Sequence, residues 1–218
     1  MVKTGKSQKV VDRRVLEELY TDPKNGFRGV GDLLRRARHV YPTIKRRDII
    51  RFLHSNDTYT RHFPKGKDIT YNVWVTSGPD SHHMADLAMF PSLKRANRGF
   101  CYILIVVDVF SRFVFARPLK SKHCAHVKDA YADILFKSWR IPTRLYTDKG
   151  KEFMGSSFRE FVKSMGVIHL NPANTNVKAC YAENAIMRLK NKLEKWFSTT
   201  GKTNWVNVLE TLVKGLNS

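Results

Sequence analysis

Tyr102-Ile103-Leu104-Ile105-Val106-Val107-Asp108-Val109-Phe110 is the stretch on which the fold turns. Near-continuous aliphatic and β-branched character over so short a run, with no polar face at helical spacing, is what a central strand buried on both sides requires. Ser111-Arg112 follows as a turn, and Phe113–Leu119 reads as the next strand, ending at Pro118. Upstream, His82–Met89 reads as a strand, so three antiparallel neighbours stand in succession. Downstream the period changes. Ala125–Trp139 is helical, with Val127, Ala130, Tyr131, Ile134 and Leu135 on one side. Thr143–Thr147 is a short strand, Ser156–Met165 a helix stopped by Gly166, and Val167–Leu170 a further strand. In Ala179–Phe197 the residues Ala182, Ile186, Leu189, Leu193 and Trp196 recur at spacings of four, three, four and three, which makes a long amphipathic helix. Trp205–Leu216 is the final helix. The class is α/β: a mixed five-stranded sheet flanked by helices.

Working outward, residues 81–218 form the core domain and 56–80 a linker, polar and marked by Pro64, Gly66, Gly78 and Pro79, with Tyr71–Val75 as a stray strand. Residues 1–55 read as a small basic three-helix module. Its first helix is Val10–Tyr20. Its second is Gly31–Val40, with Leu33 and Leu34 inward and Arg35, Arg36 and Arg38 outward. Its third is Lys45–His54, capped by Thr43 and carrying Ile49, Ile50 and Leu53 as its apolar stripe. Short helices, tight turns and many arginines suggest a helix-turn-helix-like arrangement. A plain bundle with solvated charges fits as well, because the sequence does not say which face carries the bases.

The charge is the strongest compositional signal. Against 19 Asp and Glu stand 39 Lys and Arg, a net +20. The excess is spread over the chain: 17 bases against 8 acids in residues 1–77, and 22 against 11 in the rest. Such a balance points to a polyanionic partner, nucleic acid above all. Cys101, Cys124 and Cys180 are odd in number and lack C-x-x-C spacing, which argues against a disulfide framework or a cysteine-rich zinc site and fits a reducing compartment. No secretory leader is evident, and the longest apolar run, interrupted by Asp108, is too short to span a bilayer, so no membrane partner is expected.

Three acids fall at informative places. Asp86 lies mid-strand in His83-Met84-Ala85-Asp86-Leu87, where a lone charge is costly. Asp148 closes the strand Arg144–Thr147 and is followed by the turn Lys149-Gly150; ligand-binding residues of such sheets sit at strand ends. Glu183 lies in the first turns of the long helix, from which a side chain projects back toward the sheet. Spacing alone is weak, since a chain with 19 acids always offers some such triplet.

The flanking residues carry a resemblance. Asn97-Arg98-Gly99-Phe100-Cys101-Tyr102-Ile103-Leu104, followed by Val107-Asp108-Val109-Phe110-Ser111-Arg112, resembles the second-strand signature of retroviral-type integrase cores from eukaryotic transposable elements, retrotransposons and Maverick/Polinton elements alike. Thr147-Asp148-Lys149-Gly150-Lys151-Glu152-Phe153 resembles the motif around that family's second catalytic Asp. Asn176-Val177-Lys178-Ala179 leading to Ala182-Glu183-Asn184 resembles the motif around its catalytic Glu. The similarity covers about residues 80–216. It implies a ribonuclease-H-like fold and an acidic triad of Asp86, Asp148 and Glu183. It also implies two divalent cations, Mg²⁺ or Mn²⁺, held by that triad, with Asp86 bridging both and Asp148 and Glu183 each holding one. The activity implied is polynucleotidyl transfer: processing of DNA 3′ ends, then strand transfer into target DNA. A homo-oligomer acting on DNA in the nucleus follows from the same likeness. The chain departs from the pattern in places. There are 34 residues between Asp148 and Glu183, one fewer than the usual count, and Asn184 stands where many relatives have Arg. Of the two positions one and two turns beyond the Glu where retroviral members carry DNA-touching lysines, Lys190 matches and Met187 does not. Residues 1–100 contain no Cys, so the His/His/Cys/Cys zinc module of retroviral integrases is missing from them.

Other residues read more plainly. Asp108 is a structural acid, with a place behind the metal ligands as the alternative. Glu152 is a solvated loop acid. His82 and His83 are adjacent on a strand and face opposite ways, so they do not share a ligand. Cys180 has no base beside it and is structural. Among Lys178, Arg188, Lys190, Lys192 and Lys195 a solvated helix face is the usual reading, with DNA contact as the alternative for Lys178 and Lys190. Two other functions compete: a catalytically silent DNA-binding derivative of an element, and a ribonuclease-H-like nuclease.

Overall fold

Short helices open the chain in the computed structural model, which describes residues 12–62, 74–171 and 180–218. They are α1 (Arg13–Thr21), α2 (Val30–Val40), α3 (Arg46–His54) and α4 (Asp57–Arg61). Asp12 caps α1 by accepting from the Arg14 amide at 2.9 Å; Val10 and Val11, expected in this helix, lie outside the described residues. Thr43 does not cap α3. Lys45 takes that place, and the Asp48 carboxylate accepts from its amide at 3.2 Å. Helix α4 stands in the stretch expected as linker, capped by Asn56, whose side chain accepts from the Tyr59 amide. Leu33, Leu34, Ile49 and Leu53 turn inward as their spacing implies, but Phe52 completes the stripe and Ile50 is exposed. Arg36 is not outward: it donates to the Asn25 carbonyl at 2.6 Å and pairs with Asp22.

The sheet follows. Its strands are β1 (His82–Met89), β2 (Tyr102–Asp108) and β3 (Val114–Leu119), then, after α5 (Cys124–Ser138), β4 (Arg144–Tyr146). Helices α6 (Lys151–Met154) and α7 (Ser156–Ser164) lead to β5 (Ile168–Leu170), and α8 (Cys180–Thr200) and α9 (Leu209–Lys214) end the chain. Strand order is β3-β2-β1-β4-β5, with β1, β2 and β3 antiparallel and β4 and β5 parallel to β1. The expected mixed five-stranded sheet is present. The final helix is shorter than its pattern suggests: Trp205–Asn207 is a 3-10 turn, and the α-helix starts only at Leu209.

Alternation along the strands gives the sheet two apolar faces. Met84, Ala88, Ile103, Ile105 and Val107 meet Ala182, Ile186, Leu189, Leu193 and Trp196 of α8. Ala85, Leu104 and Val106 meet Val127, Tyr131, Ile134 and Leu135 of α5 and Phe158 and Val162 of α7. Each large side chain so buried contributes about 1.5–3 kcal/mol. The N-terminal helices join the first of these clusters through Leu16, Tyr20, Phe27, Leu33 and Ile49. No described helix is long and apolar enough to cross a membrane.

The seam between these helices and the core uses bases that sequence reading left to solvent. Lys192 is 7% exposed and donates to the Gly215 carbonyl at 2.9 Å and the Lys24 carbonyl at 3.3 Å. Burial, helped by Arg28 and Arg188, pulls its ammonium down to about 8. Lys195 donates to Phe27 and Arg28 to Gly215. Gly215 is the closest approach: a Cβ there would stand 1.6 Å from the Lys24 carbonyl oxygen, and that neighbour is backbone. Gly215→Ala is therefore expected to cost about 2–4 kcal/mol, read as a lower urea midpoint for the whole chain.

Candidate active site

The register of two short ladders assembles the site. In the parallel pair β1/β4, Met84 lies opposite Tyr146, so Asp86 and Asp148, each two residues further on, come to the same height. Asp86 shares its face with Met84 and Ala88, the face that α8 covers, and Glu183 sits in the first turn of α8. The three acids singled out in the sequence lie near enough for the charges of Asp148 and Glu183 to act on the Asp86 carboxyl. Asp86 is half-buried, while Asp148 and Glu183 are exposed. Burial pushes the Asp86 carboxyl up to about 6; the Leu87 amide opposes this, and the charges of Asp148, Glu183 and Glu152 reinforce it.

Each carboxylate is held locally. Asp86 accepts from the Leu87 amide at 2.7 Å and Asp148 from the Gly150 amide at 2.9 Å. Thr147, almost fully buried, anchors the end of β4: its Oγ1 lies 2.9 Å from His169 Nε2 and 2.7 Å from Asn171 Oδ1 on the neighbouring strand and its extension. Glu152 is a fourth member that sequence reading assigned to solvent. It is half-buried and folds back over Gly150, where a Cβ would come within 2.8 Å of its carboxyl carbon and 2.9 Å of Asp148 Oδ1. A side chain at Gly150 would have to push these two carboxylates aside. The signal was available in the one-turn spacing from Asp148, but the helix α6 that turns Glu152 inward is a single turn with little pattern of its own.

The remaining expectations divide. Lys190 lies two turns beyond Glu183, its ammonium 5.7 Å from the centre of the Phe90 ring. Lys178 lies outside the described residues. His82 stacks on Tyr146 and His83 bonds Asp80, so the two do not share a ligand. Burial pushes the Cys180 thiol up, which suits a structural cysteine.

The described residues contain one group of three His, Asp or Glu ligand atoms lying within 4.8 Å of one another, and it is not the triad but Asp80, His83 and Asp108. Asp108 is on the opposite face of the sheet from Asp86, so it does not stand behind the triad. Its position is already filled by a cation: Arg140 donates to Asp80 at 2.8 and 3.0 Å and to Asp108 at 2.8 Å, while His83 holds Asp80 at 2.9 Å. Burial works against the Asp108 charge, but the Ser111 hydroxyl and the amides of Ser111, Phe110 and Asp80 hold its carboxyl below the usual range. This is a structural ion cluster tying the segment after α5 to the start of β1 and the end of β2.

Two outcomes follow. Arg140→Met leaves Asp108 buried without its counter-charge and is expected to destabilise the fold by about 3–5 kcal/mol, measured by chemical denaturation at neutral pH. Asp86→Asn has the opposite sign in metal-free buffer. With its pKa raised from 3.8 to about 6, Asp86 costs nothing below pH 4; its cost develops as pH rises from about 4 to about 6 and is fully present above that. The Asn variant should match the wild type's stability near pH 4 and exceed it at pH 7.5 by about 2–3 kcal/mol, read by chemical denaturation at the two pH values.

With this geometry in place, the chain can be set beside known proteins. Residues 77–172 match the integrase core domain family. A transposon-derived protein of Caenorhabditis elegans is 30% identical over 125 residues, 57% of this chain and 43% of that protein. The Pol polyprotein of a radiation murine leukemia virus is 25% identical over 198 residues, 89% of this chain and 34% of the polyprotein. The chain thus spans less than half the length of these relatives. Among solved structures, the fold matches a chain of the simian T-cell lymphotropic virus intasome in complex with PP2A regulatory subunit B56 gamma, at TM-score 0.58 and 17% identity over 85% of this chain and 63% of that one. It also matches the HTLV-2 integrase catalytic core domain in complex with magnesium, at TM-score 0.52 and 18% identity over 64% of this chain and 86% of that one. The sheet carrying Asp86 therefore has the ribonuclease-H-like fold of integrase catalytic cores, and the stretch that matches the integrase core domain family, residues 77–172, contains Asp86 and Asp148.

Proposed function

We propose that this chain is the catalytic part of a transposable-element integrase, a polynucleotidyl transferase that processes DNA 3′ ends and joins them to target DNA. The observation that carries the reading is the gathering of Asp148, Glu183 and Glu152 around half-buried Asp86, in a protein of net +20. A basic surface that attracts a phosphate backbone gains nothing from carboxylates at its centre unless cations sit between the two.

The donor set fits hard divalent cations: all oxygen, of one charge, with the central carboxyl unwilling to ionise beside its neighbours. Asp86, Asp148 and Glu183 would hold two Mg²⁺ or Mn²⁺ ions. Bound there, such ions supply Lewis-acid activation of the attacking oxygen and stabilisation of the leaving oxygen at the scissile phosphate. The chain's own part is placement. β1 would carry Asp86, the segment after β4 Asp148 and the first turn of α8 Glu183 to the cations. Thr147 and its partners hold the end of β4 against displacement. Lys190, and Lys178 in the segment before α8, would bind the DNA backbone on either side of Glu183. The HTLV-2 core domain was solved in complex with magnesium and in dimeric and trimeric forms; the corresponding proposals here are Mg²⁺ dependence and a homo-oligomer. Work on chromosomal DNA would place the protein in the nucleus.

The test is joining of element-end oligonucleotides to plasmid DNA by the full chain. Joining is expected with Mg²⁺ or Mn²⁺ and not with EDTA, falling at least about 10²-fold in Asp86→Asn and Glu183→Gln. Full activity in either variant sinks the assignment. Cleavage of an RNA–DNA hybrid without end joining would identify a nuclease instead. Absence of any Mg²⁺-dependent thermal shift would identify a silent DNA-binding derivative.

A further inference from the structure

Helix α3 carries an exposed basic stripe whose contacts with the rest of the fold are few: the His54 ring meets Tyr59 at 6.2 Å. Arg46, Arg47, Ile50, Arg51 and His54 are all exposed, and their spacing of i, i+1, i+4, i+5 and i+8 puts them on one side of the helix. The opposite side, Ile49, Phe52 and Leu53, is buried. Elsewhere in these helices arginines have structural work: Arg13 donates to the Ser55 carbonyl, Arg28 to Gly215 and Arg36 to Asn25. Among the described residues Arg46 and Arg51 form no ion pair, and Arg47 reaches only its neighbour Asp48, at 3.8 Å and largely in solvent. The sequence allowed either a solvated bundle or a reading helix because the face was unknown; the packing now fixes that face.

We infer that α3 is a recognition helix for duplex DNA, a second DNA-binding site separate from the carboxylate cluster. Helix α2, the turn Tyr41–Lys45 and α3 form a helix-turn-helix packed on α1, with Leu33, Leu34, Ala37, Ile49 and Leu53 at its centre. In that motif the N-terminal residues of the second helix reach base edges in the major groove. Here those residues are Arg46 and Arg47, and the arginine fork matches the paired acceptors of guanine. Ile50, an aliphatic side chain 36% exposed between arginines, fits a thymine methyl better than it fits water. Charge complementarity selects the occupant: a strongly cationic helix face suits a phosphate-flanked groove, and its single aliphatic residue is too little for an apolar protein partner. The inference does not depend on catalysis and would hold for a silent derivative.

The measurement is fluorescence anisotropy of the full chain on a labelled DNA duplex across a salt series. Arg46→Ala/Arg47→Ala/Arg51→Ala should weaken binding at least about tenfold and lower the slope of log affinity against log salt by about 2–3. Its melting temperature should not change, since these side chains support nothing. The inference is overturned if the triple variant keeps its affinity. It is equally overturned if the charge-matched control Lys122→Ala/Lys137→Ala/Lys202→Ala loses as much, or if an A-form RNA duplex competes as well as DNA does.

Discussion

Parallel pairing of β1 with β4, Met84 opposite Tyr146, governs the geometry of the acidic cluster. Side chains alternate along a strand, so a slip of one residue would carry Asp148 out of step with Asp86 and send Leu145 away from the core. Strand β4 is only three residues long and has little pairing of its own with which to resist such a slip. Its register is held from the sides. Leu145 is fully buried against the α5 face, and Thr147 is fixed to His169 and Asn171. The stability of a small strand is thus converted into the position of one carboxylate.

Helix α8 meets the sheet under a second constraint. Its apolar stripe sets it against Met84, Ala88 and Ile105, and the same helix binds the N-terminal helices through Lys192 and Lys195. One element therefore carries Glu183 at its start, core packing along its length and the anchorage of another group of helices on its far side. The net charge of +20 divides accordingly. Some bases are buried on backbone carbonyls, some neutralise acids, and the remainder is what reaches a polyanion. Net charge overstates the binding surface for that reason.

Most of the architecture was legible because it is periodic. The unbroken apolar run of β2, the alternation of β1 and the four-three repeat of α8 are repetitive signals that tertiary context did not override. Asp86 and Glu183 fall on elements of that kind, whereas Asp148 follows a three-residue strand with little pattern of its own. What was illegible depends on contacts across the chain. Lys192 reads as a surface lysine until Lys24 and Gly215 are seen to close over it. Ile50 reads as core because it is aliphatic, although Phe52 takes the inward position. Asp80 and Arg140 are 60 residues apart, and no local pattern announces that they meet. Glu152 was missed because a one-turn helix is too short to declare its orientation.

Arg140 supplies the positive charge at the Asp80–His83–Asp108 cluster from within the polypeptide. A counter-ion tethered in this way has no dissociation constant: it cannot be diluted, chelated or exchanged, and its occupancy does not vary with the composition of the medium. Among the described residues Asp86, Asp148 and Glu183 form no ion pair, so no basic side chain there compensates them as Arg140 does its own acids. The two faces of one sheet thus treat the same chemical problem in opposite ways. The face joined to α5 is permanently compensated and inert to its surroundings. The face under α8 carries its acids with no such tethered cation among the described residues.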